Sequence, residues 1–290
     1  MKTKCKSIIR TACPPFVGAV CTGSVLLIAS SAQAQNLFVL DFSGNVYEYT
    51  PGGTRSTFAP GIFAGALAFN SAGDLFVTEG SSIAEITPGG VESTFASGLD
   101  NPYALAFNGA GDLLESDQGS GNIYEFTPGG VRGTFASGLN TPYGLAFNSA
   151  GDLFEVDDGS GSINEFTPGG VRSTFASKLS FDFGPAINNA GDLFVTEGSY
   201  IAEFTPGGVK STFASGLNET HGLAFNSAGD LFEADQGSGN IYEFTPGGVK
   251  STFASGLSDP YSLAIDPVPE PSVLGLLAVG ATALLVRCRR

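Results

Sequence analysis

Six carboxylates recur about forty residues apart along this chain: Asp41, Glu79, Asp117, Asp157, Glu197 and Asp235. Three of them have a second acid two positions earlier, pairing Glu115 with Asp117, Glu155 with Asp157 and Glu233 with Asp235; the other three have Val39, Val77 and Val195 there. Residues i and i+2 of a strand face the same side, so each acid pair can converge on one hard cation such as Ca²⁺ or another divalent ion. Valine at the equivalent position points to a partly buried site, where a glutamate needs a partner or a raised pKa. The competing reading is that each aspartate caps the glycine-rich loop beside it through backbone N–H groups. A second series, Tyr103, Tyr143, Phe183, His221 and Tyr261, repeats at the same period, with Gly65 in the remaining copy. Aromatic rings in that arrangement can stack on sugars. His221 is the only histidine, and together with Asp182 and Glu233 it forms the one candidate acid–base group. As a lone histidine in a tyrosine series, it also reads as a simple replacement of the ring.

These residues are positioned by a repeat. Thr-Pro-Gly-Gly recurs with its threonines at 50, 87, 127, 167, 205 and 245, giving spacings of 37, 40, 40, 38 and 40. One copy, Leu223 to Leu257, reads as four short strands. An apolar run, Leu223 to Phe225, ends at Asn-Ser-Ala-Gly-Asp; Leu231 to Asp235 ends at Gln-Gly-Ser-Gly-Asn. Ile241 to Thr245 ends at Pro-Gly-Gly, which suits neither a ladder nor a helix, and Val249 to Ala254 leaves it. Four antiparallel strands in about forty residues, repeated around an axis, predict an all-β fold, a β-propeller. The first copy begins at strand two, Leu37 to Asp41, and the last is followed by an extra strand one, Ser262 to Asp266. The expectation is therefore six four-stranded blades closed by a seam of three strands from one end and one from the other.

Three regions follow: 1–34, 35–267 and 268–290. Residues 1–34 read as a signal peptide, with Lys2, Lys4, Lys6 and Arg10, an apolar stretch from Phe16 to Ile28, and Ala32-Gln33-Ala34 placing cleavage between Ala34 and Gln35. All four cysteines (5, 13, 21 and 288) lie outside the propeller body, so its stability must come from packing rather than disulfides. The body holds six Lys and Arg against twenty-seven Asp and Glu, a formal net charge of −21. That surface repels phosphate backbones and anionic lipid, which excludes nucleic acid as a partner and leaves cations or neutral polymers.

At the other end, Val268-Pro269-Glu270-Pro271 precedes an apolar run from 272 to 286 and then Arg287, Arg289 and Arg290. This tail resembles the PEP-CTERM sorting signal, with Pro269, Glu270 and Pro271 as its motif. The resemblance implies an exosortase-type processing enzyme as partner, export to the cell surface or extracellular matrix, and a membrane-associated precursor. The tail is also called an ice-binding protein C-terminal motif, a name that implies no ice binding. The apolar run is shorter than the ~20 residues of a straight transmembrane helix, which favours transient membrane contact before processing. The blades, from Asn148 to Asp157 and Gly161 to Phe166 in one copy, resemble the NHL and gluconolactonase-like group of six-bladed propellers. That group includes lactonases, lyases and binding platforms, so the resemblance implies a fold and leaves the activity open. Two readings follow: an exported, non-catalytic propeller binding a matrix polymer, glycan or surface protein through an acidic and aromatic face, or a metal-dependent hydrolase of the lactonase type.

Overall fold

The computed structural model describes residues 35–62, 64–180 and 183–267. They form six four-stranded antiparallel sheets. In each blade the inner strand pairs with the second, the second with the third and the third with the outer strand. Blade 3 is Pro102–Phe107, Leu113–Asp117, Asn122–Phe126 and Arg132–Ala136, and the inner strands of blades 2, 4, 5 and 6 are Ala64–Phe69, Pro142–Phe147, Phe183–Ile187 and Thr220–Phe225. Blade 1 takes its inner strand, Pro260–Ile265, from the far end of the body and its other three from Leu37–Asp41, Asn45–Tyr49 and Arg55–Pro60. Leu37 pairs with Ile265 and Leu40 with Ser262. Each inner strand also touches the inner strands of both neighbouring blades, which makes the array a ring around an axis.

Local chemistry fixes each turn. In the first hairpin of blade 2, Asn70 Oδ1 accepts from the N–H groups of Ala72 and Asp74, both at 2.9 Å, while its amide donates to Asp74. Gly73 supplies the left-handed residue, φ 88°. The same bonds recur from Asn108, Asn148, Asn188 and Asn226. In the Thr-Pro-Gly-Gly turns the threonine hydroxyl accepts a backbone N–H four residues on, as Thr245 does from Val249 at 3.2 Å.

The core lies between blades rather than inside them. Three of the seams hold an edge-to-face trio of phenylalanines: in one, Phe76 meets Phe95 at 5.0 Å and 85°, and Phe107 of the next blade at 5.0 Å and 75°. Phe194 does the same with Phe213 and Phe225. Such contacts add about 0.5–1.5 kcal/mol each beyond the area they bury. Near the axis small residues let the inner strands close up: a Cβ on Gly144 would lie 2.2 Å from Pro185 Cδ, and one on Gly222 would lie 2.8 Å from the Tyr261 carbonyl.

Candidate functional site at the channel mouth

Two faces result. The mouth carries the loops from outer strand to next inner strand and from second to third strand; the base carries the first hairpins and the Thr-Pro-Gly-Gly turns. At the mouth the inner strands enter with Tyr103, Tyr143, His221 and Tyr261, and Phe183 opens the inner strand of blade 5. The Tyr103 and Tyr143 rings lie 3.9 Å apart at 32°. Tyr261 is tilted against Phe42, 4.7 Å away, and Phe42 is 59 % exposed. Blade 2 presents no ring: the Gly65 and Ala66 N–H groups donate to Thr78 Oγ1 at 3.1 and 2.9 Å, and a Cβ on Gly65 would sit 3.0 Å from that oxygen. Tyr103 and Tyr261 line an axial pocket of 130 Å³ together with Gly65, Gly144, Gly184, Gly222 and Ser262 among others.

The phenols are pushed away from ionisation. Burial first, then the neighbouring Tyr143, raises the Tyr103 pKa, and burial followed by Asp41 raises Tyr261 to about 12. His221 is buried; desolvation lowers its pKa to about 4 against the opposing hydrogen bond with Gln236, so it is neutral near pH 7. The Glu233 oxygens have no hydrogen-bond partner, so His221 and Glu233 do not form a hydrogen-bonded pair. Asp182, the third member of that candidate group, lies outside the described residues.

The aspartates turn into their loops. Asp117 accepts from the N–H of Asp100 at 2.7 Å and of Ser120 at 2.9 Å; Asp157 does so from Asn140 and Ser160, and Asp235 from Asn218 and Ser238. Asp41 holds Ser43 and Ser258 in the same way. Each thus latches its own loop to the segment leading into an inner strand, which is the loop-capping geometry. In blade 5, Glu197 instead takes Lys210 at 2.5 Å and the Tyr200 hydroxyl. The latched segments hold a left-handed residue other than glycine: Asn101, Thr141, Glu219 and Asp259, with φ of 51–62°.

The paired glutamates stay in the sheets and are fully buried. Glu115 sits in the ladder between Leu105 and Tyr124, both of which pack in the seam against blade 2. Neither oxygen of Glu115 or Glu233 has a partner, whereas Glu155 Oε2 accepts from Asn164 at 2.8 Å. Burial is the main cause that raises Glu115 and Glu233 to about 9 and Glu155 to about 8; the adjacent aspartate adds to it. Among the described residues no three His, Cys, Asp or Glu side chains come together as a metal site.

Two contributors escape a reading of the repeat alone. Phe42 stands where other blades have Gln118, Asp158 or Gln236, a departure from the pattern that was visible in the sequence. Ser116 passes for strand filler, yet its hydroxyl accepts from Ala104 N–H and donates to the Tyr143 carbonyl at 2.7 Å, tying two ring-bearing strands together.

Residues 267–290 match the PEP-CTERM protein-sorting motif. The motif implies export, a membrane-anchored precursor and recognition by an exosortase. No curated protein matches the chain. Among solved structures, a chain of a nidogen/laminin complex superposes with a TM-score of 0.73 at 17 % identity, covering 81 % of this chain and 99 % of that one. Virginiamycin B lyase from Staphylococcus aureus gives 0.59 at 16 %, covering 76 % and 81 %. A gluconolactonase from Xanthomonas campestris gives 0.61 at 19 %, covering 67 % and 76 %. At these identities the likeness is one of fold. Among the described residues no helix is long and apolar enough to cross a membrane; the apolar run 272–286 and the motif residues Pro269, Glu270 and Pro271 lie outside them, as do residues 1–34 with Ala34.

Proposed function

We propose that the chain comprises a leader (1–34), a propeller body (35–267) and a sorting tail (268–290), and that the body is an exported, non-catalytic binding module. Its mouth takes a neutral matrix polymer or glycan, or a surface protein presenting similar polar rings, through Phe42, Tyr103, Tyr143, His221 and Tyr261. The observation that carries this reading is the set of tyrosine rings, with exposed Phe42, gathered at the mouth around an axial pocket. The mouth aspartates are engaged by backbone N–H groups, so the face offers rings and backbone rather than open carboxylates. The charge of the body fits the same partners, since neutral polymers meet no repulsion from it.

The test is retention of the purified body on extracellular polysaccharide and protein fractions. Phe42→Ala and Tyr261→Ala should each weaken retention by up to about tenfold, the equivalent of one stacking contact, and Phe42→Ala, at a largely exposed position, should do so without lowering the melting temperature. Unchanged retention by both variants refutes the site. The hydrolase reading predicts turnover of a lactone or ester panel with a divalent metal, lost in His221→Ala or Asp182→Asn; that result would displace the binding module.

A further inference from the structure

The inner strand of blade 1 starts at the mouth, where Pro260 pairs with Asp41, and ends at the base, where Ile265 pairs with Leu37. Asp266 continues it, donating its N–H to the Asn36 carbonyl at 3.0 Å. Gln35 bridges the Asp266 carbonyl, at 2.9 Å, to the N–H of Ser227 in the first hairpin of blade 6, at 2.7 Å. Asp266 and Pro267 also line a 290 Å³ groove with Ser71, Gly73 and Pro88, all residues of base turns. The chain thus enters and leaves the propeller on the face opposite the ring-bearing mouth.

Only five residues, 267–271, separate this point from the start of the apolar run of the sorting motif at Ser272. Fully extended, they reach at most about 18 Å. The mouth lies one inner strand further away: six residues, or about 20 Å. From this we infer that the tethered precursor is held with its base facing the lipid surface, against the repulsion between its acidic body and anionic lipid, and with its mouth directed away. The tether sets this orientation, and the side chains it brings nearest the lipid are the exposed base valines Val91, Val131, Val171, Val209 and Val249. The orientation is independent of whether the mouth binds a polymer, so it stands or falls separately from the proposed function.

The described body has no cysteine, which makes site-specific labelling direct. The full chain, in a Cys288→Ser background, is produced in an exporting host without an exosortase, so that the tail remains attached. Val171→Cys reports from the base and Ser120→Cys from the mouth; both are exposed turn positions. Val209→Cys and Ser160→Cys form a second pair, and the parent without added cysteine gives the background. With a donor dye on the cysteine and an acceptor-labelled lipid in spheroplast membranes, energy transfer should be at least about twofold greater from the base label, as follows from a separation of one strand length. Equal transfer from both labels, or more from the mouth, overturns the inference. A ~20-residue Gly/Ser insert between Pro267 and Val268 should erase the difference. A difference that survives the insert overturns the tether as its cause.

Discussion

Replacing Glu233 by Gln tests the buried carboxyls directly. The native side chain is fully buried, neither oxygen has a partner, and burial raises its pKa from 4.5 to about 9. Below pH 4.5 the folded and unfolded chains both carry the proton, and the group is neutral in its effect. Between 4.5 and about 9 the unfolded chain releases the proton while the folded chain keeps it, so stability falls as pH rises; above about 9 the loss levels off. The full shift corresponds to about 1.4 kcal/mol per pH unit, or about 3.4 kcal/mol at pH 7. Glu115 and Glu155 add similar amounts, and three full contributions would reach about 10 kcal/mol, comparable to the whole stability of an ordinary domain. The expected slope is therefore lower, roughly 0.5–1.4 kcal/mol per unit for each glutamate. Glutamine keeps the shape and does not titrate. Urea unfolding of wild type and Glu233→Gln at pH 4.5, 6, 7.5 and 9 should show the variant gaining stability over wild type steadily as pH rises. A difference that is constant with pH, or that shrinks toward pH 9, would refute the reasoning.

Thr141 is β-branched and held at φ 61°, so Thr141→Asn should raise stability by about 0.5–1 kcal/mol in urea melts, because asparagine tolerates that conformation. Asp117→Ala strands the N–H groups of Asp100 and Ser120 and should cost about 1–3 kcal/mol, read as a lower unfolding midpoint. With those carboxylate oxygens engaged, melting curves of the body in excess Ca²⁺ and in chelator should coincide; a melting temperature that climbs with Ca²⁺ would restore the ion-site reading. Gly144→Ala drives a methyl to within 2.2 Å of Pro185 and should cost about 1–3 kcal/mol by calorimetry; an unchanged unfolding transition would refute the close packing of the inner strands.

The blades were legible because the copies repeat their punctuation: Asn and Gly at the first hairpin wherever a copy has one, Pro-Gly-Gly between the third and fourth strands of all six. A turn residue acts through its own backbone, so its meaning survives without knowledge of the partner. The acid series was only half legible. The alternation of strands places Glu115 and Asp117 on one side, but Asp117 is the last residue of its strand, and the loop rather than the pleat sets where its carboxylate goes. The seam position of Glu115 could be inferred from valine in other blades; the lack of a partner could not, because the opposing surface belongs to another copy of the repeat. Phe42 was legible only as an exception to the pattern, and nothing in its neighbours announces Tyr261, which lies more than two hundred residues away in sequence.

The borrowed inner strand of blade 1 has a consequence for biogenesis. A chain that emerges N-terminus first presents Leu37–Asp41 with one flank unzipped until Pro260–Ile265 arrives, so translocation and ring assembly finish together. A truncation just before residue 260 leaves that apolar flank as a nucleus for clumping, and quality-control proteases would meet a molecule that has twenty-three of its twenty-four strands yet an open edge along its oldest one.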